Sequence, residues 1–126
     1  MPVSYQNLAL ELAVKAPALR LRITGTSMAP LLQEGDFVIL HACPGALLRL
    51  GDLIAVRQDG DTVTHRLIAF QPDHLITLGD NLYMPDPPVS PEFVLGRAIA
   101  LEKNARLTCL NLGGCSLITF LPGLPG

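Results

Sequence analysis

Four residues of this 126-residue chain have types that could together do covalent chemistry: Ser27, His65, Asp80 and Asp86. Ser27 lies in the stretch Gly25-Thr26-Ser27-Met28-Ala29-Pro30. Gly25 admits sharp backbone geometry because it has no Cβ. Pro30 fixes its own φ and drives Ala29 towards an extended conformation. Met28 is a long apolar side chain able to anchor the turn in a core. A hydroxyl clamped in this way can be presented at a defined angle, as a nucleophile requires. The commoner task of a serine between glycine and proline is capping or turn formation. A partner base separates the two roles, because a serine hydroxyl is a poor nucleophile at neutral pH without one.

His65 is the best-placed base. Along Thr62 to Phe70 the side chains alternate, which sets His65 on one face with Val63 and Leu67 and turns Thr64, Arg66, Ile68 and Phe70 to the other. A histidine on an apolar face is more often a satisfied core residue. The same position also seats an imidazole, partly shielded, on the floor of a groove. His41 precedes a Cys-Pro-Gly turn and His74 follows Pro72-Asp73, so both read as solvated loop residues. The only lysines are Lys15, before the serine, and Lys103, in the polar turn Glu102-Lys103-Asn104. Neither occupies a strand interior where burial could lower its pKa, so a Ser-Lys pair is disfavoured. An acid that orients the imidazole would complete the set. Asp80 and Asp86 flank a proline-rich loop, and either could serve; their commoner roles are a turn aspartate and a solvated loop charge.

The elements that must position these groups are mostly strands. Ser4 to Ala16 reads as a short amphipathic helix, with Tyr5, Leu8 and Leu12 sharing a face with Ala9 and Ala16, and Pro17 ends it. Gly-Asp then occurs four times, at Gly35-Asp36, Gly51-Asp52, Gly60-Asp61 and Gly79-Asp80. The first three pairs each launch a strand-like run: Phe37 to Leu40, Leu53 to Arg57 and Thr62 to Phe70. Asp59-Gly60 between two such runs is a strong hairpin signal. Further strands are expected at Leu75 to Leu78, Phe93 to Leu101 and Arg106 to Leu110. Strands this short and numerous predict a mainly β fold, a small curled antiparallel sheet or barrel-like core with a short N-terminal helix. Leu82 to Pro91 breaks the rhythm, since its four prolines fit neither regular sheet nor helix.

Composition narrows the function classes. The length suits one domain, and 49% apolar with 16% charged residues excludes intrinsic disorder. A net charge of −2, no basic stripe and no tryptophan argue against nucleic acid as a partner. Cys43, Cys109 and Cys115 form neither a CxxC pair nor an even framework, which suggests buried thiols in a reducing compartment. The three histidines lack ligand spacing, so no metal and no small-molecule cofactor is expected. Glu11 interrupts the apolar run from Leu8 to Val14, which has no basic flank, so no signal peptide is read there. Nothing approaches the roughly 20 apolar residues of a membrane span, and Leu117 to Leu121 stops at Pro122. The expectation is a cytoplasmic protein, with peripheral attachment to a membrane surface left open at either end; the helix face and apolar tail have the core, a partner or a membrane to pack on.

Taken together, these stretches resemble one family. Gly25-Thr26-Ser27-Met28-Ala29-Pro30 followed by Gly35-Asp36 is similar to the nucleophile box of the S24/S26 serine peptidases, which include signal peptidase I and the LexA-like autoproteases. Gly51-Asp52-Leu53-Ile54-Ala55-Val56, then Thr64-His65-Arg66-Leu67-Ile68, resembles the second box of the endoplasmic-reticulum, archaeal and SipW-type signal peptidases, which carry histidine where most bacterial enzymes carry lysine. Thr77-Leu78-Gly79-Asp80-Asn81 with Asp86, then Val94-Leu95-Gly96-Arg97, is similar to the remaining boxes. The likeness runs from about Ile23 to Ala100 in the family's order.

The resemblance implies Ser27 as nucleophile and His65 as general base, with Asp86 favoured over Asp80 as the supporting acid and Asp80 as structural. It implies an oxyanion hole built from the Ser27 N–H and a neighbouring donor, with Gly25, Met28 and Pro30 shaping the turn. Gly25 stands where many bacterial signal peptidases place a helpful serine, so backbone donors must serve. A single domain is expected, with the helix at 4–16, a peptidase core at 23–101 and a C-terminal strand and apolar tail at 105–126. The expectation is a chain without the transmembrane anchor or the large inserted domain of many signal peptidases. It is likewise expected to lack the DNA-binding head of LexA-like proteins, and it contains neither the Ala-Gly nor the Cys-Gly bond at which they cut themselves. The expected activity is serine endopeptidase cleavage of a signal or leader segment, the partner being an extended peptide segment of a precursor protein. The alternative is a catalytically inactive peptide-binding module on the same fold, and the third reading, a plain structural β-domain, leaves the four boxes unexplained.

Overall fold

The computed structural model describes residues 18–43 and 45–110. The helix expected at 4–16, Lys15, Cys115 and the apolar tail lie outside the described residues.

Among the described residues, seven antiparallel strands make one sheet: β1 (Ala18–Arg22), β2 (Phe37–His41), β3 (Leu53–Gln58), β4 (Asp61–Gln71), β5 (His74–Leu78), β6 (Val94–Lys103) and β7 (Arg106–Cys109). Their order is β1-β2-β6-β3-β4-β5, with β7 also on β6. The long β6 organises the sheet. One edge carries β2, while the other pairs with β3 near its start and with β7 near its end. The fold is mainly β as expected, but the sheet is open and not closed into a barrel. Closure would need the β1 and β5 edges to meet. The β5 edge is already occupied by the proline-rich segment, where Leu75 and Val89 exchange backbone hydrogen bonds (2.8 and 2.9 Å) and the Asp86 N–H reaches the Thr77 carbonyl (2.8 Å).

β3 is buried on both faces, which explains its unbroken run Leu53-Ile54-Ala55-Val56. Leu53 and Ala55 join Met28, Leu32, Val38 and Leu40 in one core, while Ile54 and Val56 join Leu67, Leu75 and Val89 in a second. The β3–β4 hairpin turns through Asp59 (φ 49°) and Gly60 (φ 83°), the pair of positive values that a type I′ turn requires. Asp36 and Asp52 each close the turn behind them, accepting the Gln33 and Arg49 N–H groups at 2.8 Å. Each carboxylate also holds a cation of β6: Lys103 at 2.5 Å from Asp36, and Arg97 at 3.5 Å from Asp52.

β1 was not expected from the sequence pattern. Ala18-Leu19-Arg20-Leu21-Arg22 has no β-branched residue, and leucine and arginine favour helix. Tertiary contacts make it a strand. It pairs with β2, while Arg20 stacks over the Phe37 ring (3.5 Å) and binds Glu102 through two hydrogen bonds (3.0 and 2.6 Å).

Candidate active site

The turn carrying Ser27 leaves β1 and returns towards β2, and its anchor is Met28. That side chain is 1% exposed within the first core, and its Sδ accepts the Asp80 N–H at 3.3 Å. Gly25 adopts φ 79° with open space around the position of a Cβ, so its requirement is conformational; its N–H donates to Glu34 Oε1 at 3.0 Å. The Ala29–Pro30 peptide is cis. A short hydrogen-bonded turn follows, with the Ala29 N–H on the Thr26 carbonyl (3.1 Å) and the Leu32 N–H on the Met28 carbonyl (2.9 Å).

His65 projects from β4 opposite Ile54 and is 5% exposed. Its Nε2 lies 2.9 Å from Ser27 Oγ, and its Nδ1 lies 2.5 Å from Asp86 Oδ2. Ser27, His65 and Asp86 are therefore joined by two consecutive hydrogen bonds. In the tautomer that fits both contacts, Nδ1–H donates to the carboxylate and Nε2 accepts from the serine hydroxyl.

Asp80 takes a different place. It forms a two-pronged pair with Arg66 (both contacts 2.8 Å), and Arg66 also donates to the Gly51 carbonyl (2.8 Å). Hydrogen bonding from Arg66 chiefly holds the Asp80 carboxyl below its ordinary value. Asp80 thus ties the start of the proline-rich loop to β4 at Arg66, the residue that follows His65 on the chain.

Three further neighbours shape the site without bringing a reactive side chain to it. Asn81 donates from its backbone N–H to the Ser27 carbonyl (2.8 Å) and from Nδ2 to the Thr26 carbonyl (3.1 Å). Thr77, 1% exposed, donates Oγ1–H to Asp86 Oδ2 at 2.6 Å. Gly79 gives the room: a Cβ there would stand 2.7 Å from the Ser27 carbonyl oxygen and 3.1 Å from His65 Nε2. It has no positive φ, unlike the glycines of the other three Gly-Asp pairs, so its role is close approach rather than turn geometry. A threonine inside the apolar run Leu75-Ile76-Thr77-Leu78 was the available signal for the second of these.

The remaining candidates lie elsewhere. His41 is not a solvated loop residue but the last residue of β2, and its Nε2 is buried without a hydrogen-bond partner among the described residues. Burial first, and the Arg97 charge second, lower its pKa. His74 begins β5, exposed. Lys103 ends β6, not in a loop, with its ammonium held by Asp36 and the Leu31 carbonyl (2.8 Å). Burial pushes the Cys43 and Cys109 thiols up, away from thiolate chemistry. Among the described residues, no cluster of three or more His, Cys, Asp and Glu side chains could hold a metal ion, and no helix is long and apolar enough to cross a membrane.

An open antiparallel sheet that brings a serine on a tight turn to a strand-borne histidine has the build of a serine peptidase-type hydrolase. The model of the family described as Peptidase S24-like matches residues 4–99, and the chain belongs to that family. No curated protein matches the sequence.

Proposed function

We propose that this protein is a serine endopeptidase that cleaves an extended signal or leader segment from a precursor protein by Ser-His chemistry. The observation that carries the proposal is the unbroken chain Ser27 Oγ–His65 Nε2 (2.9 Å) and His65 Nδ1–Asp86 Oδ2 (2.5 Å). In this mechanism His65 Nε2 takes the hydroxyl proton as Ser27 Oγ attacks the scissile carbonyl. The resulting imidazolium keeps its Nδ1–H on Asp86, which orients the ring and balances its charge. Collapse of the tetrahedral intermediate expels the amine, which takes the proton from Nε2, and leaves an ester on Ser27. Water, deprotonated by the same nitrogen, then releases the acid.

The oxyanion needs fixed donors. Asn81 supplies their alignment. In a planar trans peptide the N–H points opposite to the C=O. Pinning the Thr26 and Ser27 carbonyls towards Asn81 therefore directs the Ser27 and Met28 N–H groups away from it, together. These are the Ser27 donor and its neighbour in the proposed hole. The substrate is an extended peptide laid beside the sheet, drawn from a signal sequence at a membrane surface or the leader of a small precursor made in the same cell.

Co-expression with precursors encoded nearby, followed by mass spectrometry, tests the reading. Wild type is expected to shorten a precursor that Ser27→Ala and His65→Ala leave intact. Identical processing by all three sinks the peptidase and leaves the binding module.

A further inference from the structure

We infer that Thr77 is a positioning residue of this site, fixing the one Asp86 oxygen that faces His65; the inference rests on the peptidase reading above. Thr77 grips Asp86 at two points. Its hydroxyl donates to Oδ2 (2.6 Å), the same oxygen that lies 2.5 Å from His65 Nδ1, and its carbonyl accepts the Asp86 N–H (2.8 Å). The two bonds close a ring between β5 and the proline-rich loop that leaves the carboxylate no free rotation. Pro87 adds a third restraint, because a residue before proline is held extended. Thr77 itself has little freedom, being β-branched on a strand and 1% exposed.

The arrangement has a chemical consequence. An ionised carboxylate only accepts hydrogen bonds, and Oδ2 has lone pairs for two donors. With Thr77 as one donor, the second direction is left for the imidazole N–H. A hydroxyl in so dry a place is disfavoured unless it is hydrogen-bonded, and valine would fill the same space. Packing alone gives no reason for threonine here.

The experiment compares wild type, Thr77→Val and Thr77→Ser. Thr77→Val keeps the shape and removes the donor, and it is expected to lower kcat about 10- to 100-fold, the weight of one hydrogen bond to a charged group. KM stays within about twofold, since no substrate contact is lost. Thr77→Ser restores most of the rate. The downfield proton resonance of the imidazole N–H on Asp86 is expected to be sharp in wild type and Thr77→Ser and to broaden or vanish in Thr77→Val. That spectrum needs no substrate, so it decides the role of Thr77 even if no precursor is cleaved. An unchanged resonance in Thr77→Val, a wild-type kcat, or a Thr77→Ser enzyme as slow as Thr77→Val overturns the inference. Wild type matching Ser27→Ala in turnover overturns the peptidase reading instead.

Discussion

Replacing Gly79 with alanine tests how closely the Ser27 turn and His65 must approach. The position is buried and its φ is not positive, so an alanine meets no backbone strain. Space is what forbids it. The new Cβ would stand 2.7 Å from the Ser27 carbonyl oxygen, 2.9 Å from Leu82 Cδ1 and 3.1 Å from His65 Nε2. The leucine can rotate away, but the carbonyl belongs to the backbone and also accepts the Asn81 N–H. Relief to an ordinary C···O separation of about 3.3 Å requires a shift of about 0.6 Å. Such overpacking costs about 1–3 kcal/mol, or a Tm lower by roughly 5–15 °C for a domain of this size. Displacement by 1 Å near the chemistry is worth about a hundredfold in rate, so kcat is expected to fall about 10- to 100-fold. Thermal unfolding by circular dichroism and precursor cleavage by mass spectrometry give the two numbers. A Gly79→Ala protein with wild-type Tm and turnover refutes the close approach.

The two acids are expected to respond differently. Asp86→Asn removes the charge facing His65 and should lower kcat about a thousandfold or more with little change in Tm. Asp80→Ala breaks the partly exposed Arg66 pair and should cost no more than about 1 kcal/mol of stability and less than a tenfold loss of rate; urea unfolding and steady-state kinetics on both variants check the contrast. Stability should also fall with acid in two stages. The His41 pKa is lowered from 6.5 in the native state, so its contribution is complete above 6.5 and is lost as the pH falls towards that lower native value. Asp36 and Asp80, both held low by their cations, keep theirs above about pH 4 and lose it as the pH falls through their native values. Urea midpoints from pH 8 to 3, with His41→Phe flattening the first stage, measure this. Ala105 has φ 64° in the β6–β7 turn, so Ala105→Gly should stabilise the protein by about 0.5–1 kcal/mol, read by urea unfolding.

Much of the fold is legible in the residues because its signals are local. Asp59-Gly60 marks its hairpin through positive φ, and the continuous run Leu53 to Val56 marks a strand buried on both sides. β1 is not legible, because Arg20 needs Phe37 and Glu102, distant in the chain, to make a helix-prone pentapeptide a strand. The open edge was equally hidden, since it depends on Asp86 and Val89 folding back on β5. In the site, alternation along β4 puts His65 with Val63 and Leu67, yet nothing local distinguishes Asp80 from Asp86. Distance does: one reaches Arg66 and the other His65. Gly79 shares its Gly-Asp dipeptide with three turns, and only the approach of the Ser27 carbonyl reveals its different role.

The central claim is that Ser27 attacks with His65 as its base. Single-turnover cleavage of a purified precursor by purified protein measures this directly, with products identified by mass spectrometry across pH 5 to 10. The account predicts a cut that Ser27→Ala and His65→Ala both abolish, and a rate that does not wait for the titration of an amine. Cleavage that survives either substitution, or a rate that rises only near the titration of an amine, contradicts it.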